Sequence, residues 1–330
     1  MSNDLVLEGK EGFLFLSGGQ HSPLRFAQAG ATVRPESINQ FWANIQRRQA
    51  QMEKRGISYA HLIAPDKHSV CRDVFPVEIL ISLGDQYIDA CPRSGLLDFV
   101  SYPRQELSDD FRRYCYRVDT HYRPSGTWLM LKRVLDKAVG VEANQLLENE
   151  AHLKLKSQKE WSGDLGSKLS PPQTETWEQI TIPKTVRRYS NNLAGGNNGI
   201  IDLYFNLEYI KRSESRPGLG RVLVIGDSYG RDIARTLSLM SSEVLFIRTP
   251  YMHIEVVDAM KPDLVISENA ERYLSAVGCD EDRPVFFLFP FLKDNHYAMT
   301  PEMARALSAV LSYGRQPYTS LIATLVQESA

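Results

Sequence analysis

The chain has 330 residues, 43% of them hydrophobic and 24% charged, which is ample apolar material for a core and excludes a disordered polymer. Its 38 Lys and Arg against 40 Asp and Glu leave a net charge of −2, without the basic excess that phosphate neutralisation by a nucleic-acid binder requires. The most apolar run, Pro284 to Leu292, is too short to span a bilayer and is broken by Pro290. Neither a nucleic-acid partner nor a membrane span is expected.

The opening stretch, MSNDLVLEGKEGFLFLSGG, has no basic segment followed by a long apolar one and does not read as a signal peptide. The expected location is the cytoplasm, or the periplasm had a signal been removed. Further along, Phe41 to Arg55 has helical periodicity, with Phe41, Ile45 and Met52 on one face. Ile57 to Ala64 then reads as a buried strand ended by Pro65. A helix is predicted from Pro124 and Ser125, with Trp128, Leu131, Leu135 and Ala138 as its buried stripe. A more polar stretch, about 141–215, reads as a large insertion with its own strand near Trp177–Ile182 and a loop or hairpin tip at Ser190–Gly199. Arg221–Ile225, Glu243–Arg248 and Asp263–Ser267 are further buried strands, alternating with helices over Gly230–Met240 and Ile254–Met260. The 284–292 run and Tyr318–Val326 are expected as edge elements. This alternation is the signature of an α/β fold with a parallel sheet. We read it as one catalytic domain, 1–330, with the insertion and an extension from about 275 to the end.

The most informative segment runs from the strand RVLVI into Gly226-Asp227-Ser228-Tyr229-Gly230. Ser228 falls at the carboxyl end of a parallel strand and at the start of a helix, where free N–H groups favour negative charge. A serine attacking an ester needs such donors for the oxyanion, and the Ser228 and Tyr229 N–H groups are the candidates. The competing reading is plain helix capping by Asp227 or Ser228. As a string the segment satisfies G-x-S-x-G, but that hydrolase elbow has its acid and histidine after the serine. Neither the dinucleotide nor the P-loop glycine spacing is present.

A serine hydroxyl needs a base, and histidine titrates near neutrality. Asp119 and His121 lie two apart, so in extended chain they share one face, and the carboxylate can fix the imidazole tautomer. The alternatives are an Asx-turn on a surface loop or two metal ligands, and no second ligand cluster supports the metal. Cys71, Cys91, Cys115 and Cys279 are widely spaced, which implies neither a zinc site nor a disulfide framework. His21, His61, His68, His152, His253 and His296 read as packed or solvated side chains.

Taken together these segments resemble the SGNH-hydrolase-like acyltransferases that O-acetylate bacterial polysaccharides, with the alginate O-acetyltransferase family as the type. The resemblance rests on Gly9 to Leu16 (GKEGFLFL), on Pro65-Asp66-Lys67 with Val74-Phe75-Pro76, and on Tyr116 to Tyr122 (YRVDTHY). Gly163 to Gly166 (GDLG), Gly226 to Tyr229 (GDSY) and Glu268 to Leu274 (ENAERYL) complete it. In that family Asp-x-His precedes the serine, as here. The resemblance implies a three-layer SGNH/flavodoxin-like α/β fold with a central parallel sheet. It also implies Ser228 as nucleophile, His121 as base and Asp119 as its orienting acid. Asn269, Arg272, Tyr229, Lys67 and Arg231 are candidates for oxyanion or substrate contacts. The expected function is O-acetylation of a polysaccharide or its sugar precursor through an acyl-serine. No bound cofactor and no metal are expected. The acetyl donor is a co-substrate such as acetyl-CoA, or is delivered by a membrane partner if the protein is exported. A carbohydrate acetylesterase with the same triad and a catalytically degenerate glycan-binding module are the alternatives.

Overall fold

The computed structural model describes residues 5–19, 22, 24–27, 32–79, 81–140, 153–191, 193, 198–211, 218–293 and 299–327. Eleven strands are described: β1 Val6–Glu8, β2 Leu14–Leu16, β3 Ser58–Ala64, β4 Val100–Ser101, β5 Leu155–Trp161, β6 Glu175–Ile180, β7 Val186–Ser190, β8 Ile201–Asn206, β9 Arg221–Gly226, β10 Glu243–Arg248 and β11 Leu264–Ala270. The longer helices are α1 Pro35–Glu53, α2 Pro124–Val139, α3 Ser228–Leu237, α4 Ile254–Met260, α5 Pro301–Val310 and α6 Tyr318–Gln327. Proline opens α1, α2 and α5, where its missing N–H costs nothing.

Seven strands form the central sheet in the order β4-β3-β11-β9-β10-β8-β7. The first five are mutually parallel, whereas β8 and β7 pair antiparallel at one edge. The sheet is therefore mostly parallel, and the polar stretch after α2 supplies two of its strands. Counted from β9, the five parallel strands follow the flavodoxin-like order 2-1-3-4-5, with the strands in fourth and fifth place coming first in the chain.

Helices cover both faces. On one, Leu131, Val134 and Leu135 of α2 and Ile233, Ala234 and Leu237 of α3 pack on Leu62, Val222, Val224 and Ile266. On the other, Met52 of α1, Val257 of α4, Met303 and Val310 of α5 and Leu325 of α6 pack on Leu203, Leu223, Leu245 and Val265. Period-two alternation along β9 and β10 sends successive side chains to opposite layers. Each fully buried aliphatic side chain contributes roughly 1.5–3 kcal/mol.

Two expectations for the C-terminal part fail. Tyr318–Val326 is not an edge strand but lies in the α6 helix, and residues 286–288 and 291–293 are short 3-10 turns. Phe286 and Phe289 anchor those turns against His253. Proline at 284 and 290 removes the donors a strand ladder needs. In the Ser190–Gly199 run, residues 192 and 194–197 lie outside the described residues, as do His21, His152 and His296, while the flanking β7 and β8 pair as a hairpin does. No helix of the described residues is long and apolar enough to cross a membrane.

Candidate active site

β9 delivers its carboxyl end to Gly226, and Asp227 caps α3 by accepting the Tyr229 N–H at 2.9 Å. The helix thus starts at Ser228, one or two residues before the Tyr229 or Gly230 start that the sequence suggested. The cap's second oxygen, Oδ2, accepts the Ala270 N–H at 2.8 Å and ties the turn to the end of β11. Glu268 Oε2 takes the N–H groups of Asp227 (3.0 Å) and Gly230 (2.9 Å). A Cβ at Gly226 would lie 2.4 Å from Glu268 Oε2, so the glycine is needed for close approach. Burial and the neighbouring Asp227 push the Glu268 carboxyl well above the usual carboxylate range.

His121 enters from the loop before α2. Its Nδ1 lies 2.7 Å from Asp119 Oδ1, which also accepts the His121 backbone N–H at 2.7 Å. Asp119 Oδ2 accepts the Asp164 N–H at 2.7 Å, and Asp164 in turn accepts the Thr120 N–H at 2.8 Å and the Thr120 hydroxyl. Gly163 sits at φ +59°, and a Cβ there would meet Val118 O at 2.5 Å and Asp119 at 2.8 Å. The GDLG turn therefore clamps the acid. Burial alone would lower the His121 pKa, but the hydrogen bond and charge of Asp119 raise it to about 9. The same pairing, against the cost of burial, holds Asp119 below the usual carboxylate range.

Ser228, His121 and Asp119 line one cleft of about 380 Å³. Tyr116, Trp161, Trp177, Glu178, Arg231, Asp232 and Arg235 line it too. Among the described residues no hydrogen bond joins Ser228 Oγ to His121, whose Nε2 is left open by the Nδ1 contact with Asp119. Of the first N–H groups of α3, those of Tyr229 and Gly230 are spent on Asp227 and Glu268, which leaves the Ser228 N–H. Asp232 follows Ser228 by one helical turn, and burial pushes its carboxyl up while His121 opposes this.

The other candidates sit around this cleft rather than in it, with one exception. Arg231 lines it, with its Nε 2.5 Å from the buried Asp202. Tyr229 is buried beneath His121, ring centroids 5.0 Å apart, and its hydroxyl donates to Thr120 O at 2.7 Å. Arg272 is nearly buried, pairs with Asp66 at 2.5 Å and stacks 5.4 Å from the Tyr229 ring. Lys67 is 5% exposed and donates to the carbonyls of Leu14 (2.7 Å), Arg117 (2.7 Å) and Asp119 (3.1 Å). Its ammonium is spent on joining the FLFL hairpin and the DTH loop. Asn269 faces a second cavity, with Oδ1 2.9 Å from His61 Nε2 and Nδ2 donating to Ala270 O at 2.9 Å.

Asp119, His121 and Asp164 offer ligand atoms within 4.8 Å of one another, the spacing of a metal site. Every carboxylate oxygen in this knot already accepts an N–H or O–H, so the donor set serves orientation of the imidazole. Asp164 lies in the GDLG segment of the resemblance, which assigned it no role, and the tryptophans carry no signal of their own in the sequence. Asp232 had one, its spacing of four from Ser228.

No family model and no curated protein matches the sequence. Solved structures match the fold. The structure of Bacillus cereus PatB1 aligns with a TM-score of 0.55 at 11% identity, over 83% of this chain and 98% of that one. The O-acetyltransferase domain of Pseudomonas putida AlgJ aligns at 0.52 with 16% identity, over 88% of this chain and 99% of that one. A DHHW family protein from Eubacterium siraeum aligns at 0.51 with 13% identity, over 88% and 98%. At these identities the likeness is one of fold, and the SGNH-like α/β architecture that the sequence motifs implied is the architecture of this chain.

Proposed function

We propose that this chain is a serine-dependent O-acetyltransferase that acts on a bacterial polysaccharide or its sugar precursor. The observation that carries the reading is the single cleft holding Ser228 at a helix N-terminus beside an Asp119–His121 pair bonded at 2.7 Å. In the proposed reaction Ser228 Oγ attacks the donor carbonyl and passes its proton to His121 Nε2. The Ser228 N–H and the helix dipole stabilise the oxyanion. The donor C–O or C–S bond breaks, and the leaving group takes the proton from His121. A sugar hydroxyl then gives its proton to His121 and attacks the acyl-serine, releasing Ser228. Asp119 holds the imidazole tautomer and stabilises its cation.

Trp161 and Trp177 support a sugar as acceptor. They are half-buried, their ring centroids are 5.9 Å apart, and both line the cleft on the β5–β6 hairpin. Aromatic faces suit the C–H faces of pyranose rings, and the neighbouring Glu178, Arg231 and Asp232 suit their hydroxyls. The donor is acetyl-CoA or an acetyl group handed over by a membrane partner. The test is turnover of an aryl acetate, with product mass measured in the presence of candidate glycans. Ser228→Ala is expected to lose at least a thousandfold in kcat and any mass gain of 42 Da on glycan, in line with loss of a nucleophile. Full activity in that variant would overturn the assignment.

A further inference from the structure

All four cysteines are free thiols, and spacing along the chain pairs none of them. The fold pairs two. Cys71 and Cys115 are buried in one apolar cluster with Met130 and Leu131 of α2, and their side chains are hydrogen-bond partners. Cys91 and Cys279 have other neighbours. The Cys91 thiol donates to Arg93 O at 3.1 Å, and Cys279 Sγ accepts from Arg47 at 3.8 Å.

The two buried thiols join segments that hold the base in place. Cys71 caps the short helical turn Lys67–Val70 that follows β3, with its N–H on Lys67 O at 2.8 Å. Cys115 stands at the root of the loop that presents Asp119 and His121, and its bridge to Tyr122 closes that loop. Two noncovalent ties already run between these segments. The Lys67 ammonium donates to Asp119 O at 3.1 Å, and the Tyr122 hydroxyl donates to Pro65 O at 2.7 Å. The thiol contact is a third tie at the same junction. A lone buried cysteine serves as a small hydrophobe, which alanine or valine would replace. Two that meet at one point add a covalent option that no other residue pair has.

We propose that Cys71 and Cys115 are a disulfide-forming pair and that their bridge staples the His121 loop to the segment after β3. The oxidant is a small-molecule disulfide of the glutathione type. One cysteine thiolate attacks the donor's S–S bond, forms a mixed disulfide and releases one thiol. The other thiolate then displaces the second donor thiol and forms the Cys71–Cys115 bond. The two cysteines lose two electrons, the donor gains them, and both protons leave on the released thiols. Burial holds the Cys71 thiol well above its usual range, so exchange belongs to the stage of folding before the core closes over it. The ring so closed spans about 45 residues, and closing it restricts mainly the unfolded chain. Neither step involves Ser228, so the bridge is independent of acyl transfer.

The experiment refolds the full chain in a mixture of oxidised and reduced glutathione, blocks the remaining thiols with N-ethylmaleimide in denaturant, and maps tryptic peptides without reduction. Trypsin releases Cys71 in the peptide His68–Arg72 and Cys115 in Tyr114–Arg117. The expected product is these two peptides cross-linked and lighter than their sum by two hydrogens, with maleimide on Cys91 and Cys279 only. The oxidised protein is expected to melt on the order of 5–10 °C above the same protein after reduction. Cys71→Ala is expected to lose that difference, and Cys91→Ala to keep it. Maleimide on both Cys71 and Cys115, or a cross-link from either of them to Cys91 or Cys279, would overturn the pairing. That map is made on the wild type, so it holds whether or not a variant folds. A cross-linked pair with an unmoved melting temperature would overturn the staple.

Discussion

The Asp119–His121 pair fixes how the site responds to pH. With the imidazole held at about 9, the free protein carries His121 mostly protonated at neutral pH, and a protonated imidazole cannot accept the serine proton. The kcat/KM for aryl ester hydrolysis should therefore climb with pH from neutrality and level off above about 9. Asp119→Asn removes the charge that raises the pKa, so the limb should move toward the ordinary histidine value of about 6.5 while the plateau falls. A limb that stays in place in this variant would detach the acid from the base. The supporting residues were less legible. Asp164 reaches Asp119 through a backbone N–H, a bond any residue type makes, so the GDLG segment did not announce this contact. Lys67, a substrate-contact candidate in the sequence, is instead buried, where lysine is seldom found, and three carbonyls replace its water.

At the scale of elements, the buried strands and the long helices were legible because β-branched runs and proline starts act locally. The antiparallel β7 and β8 were not, since β7 (VRRYS) is polar and is held as an edge strand by its pairing with β8 and by the ion pairs of Arg188 and Arg231 with Asp202 of β8. Tyr318–Val326, in α6, was misread as an edge element, because its apolar residues answer to a sheet face that sequence order hides. α5 covers that face with Met303, Ala306, Leu307 and Val310. Leu307→Ala is expected to cost about 2–5 kcal/mol of stability, measured by denaturant titration. A cost below half a kcal/mol would show that α5 is not part of the core. Arg221 strengthens this attachment by pairing with Glu243 at 2.8 Å and donating to Val310 O at 3.0 Å.

At the scale of the whole molecule, three buried histidines among the described residues lie outside the site. Burial lowers His61 to about 3 and His68 and His253 to about 4. All three are neutral when folded and take up protons on unfolding below about pH 6.5. Their share of stability is intact above that pH and is lost as pH falls toward 4. Each contributes up to about 1.4 kcal/mol of lost stability per pH unit in that window. Melting temperature measured from pH 7 to pH 4.5 should fall steeply, and His253→Gln should flatten the fall. A flat profile in the wild type would mean that these rings are charged in the fold.

The permuted strand order bears on how the chain is made. β3 sits inside the sheet, between β4 and β11, yet β11 begins about two hundred residues after β3 ends. Synthesis proceeds from the N-terminus, so the half that emerges first carries the loop of Asp119 and His121 together with β3, one long edge of which is unpaired, while β4 covers only two residues of the other. That edge is a template for wrong partners until β9 and β11 arrive. Ser228 and His121 are thus brought together only once β9 and β11 have been made, and until then shielding of the unpaired β3 edge bears on the yield of folded protein.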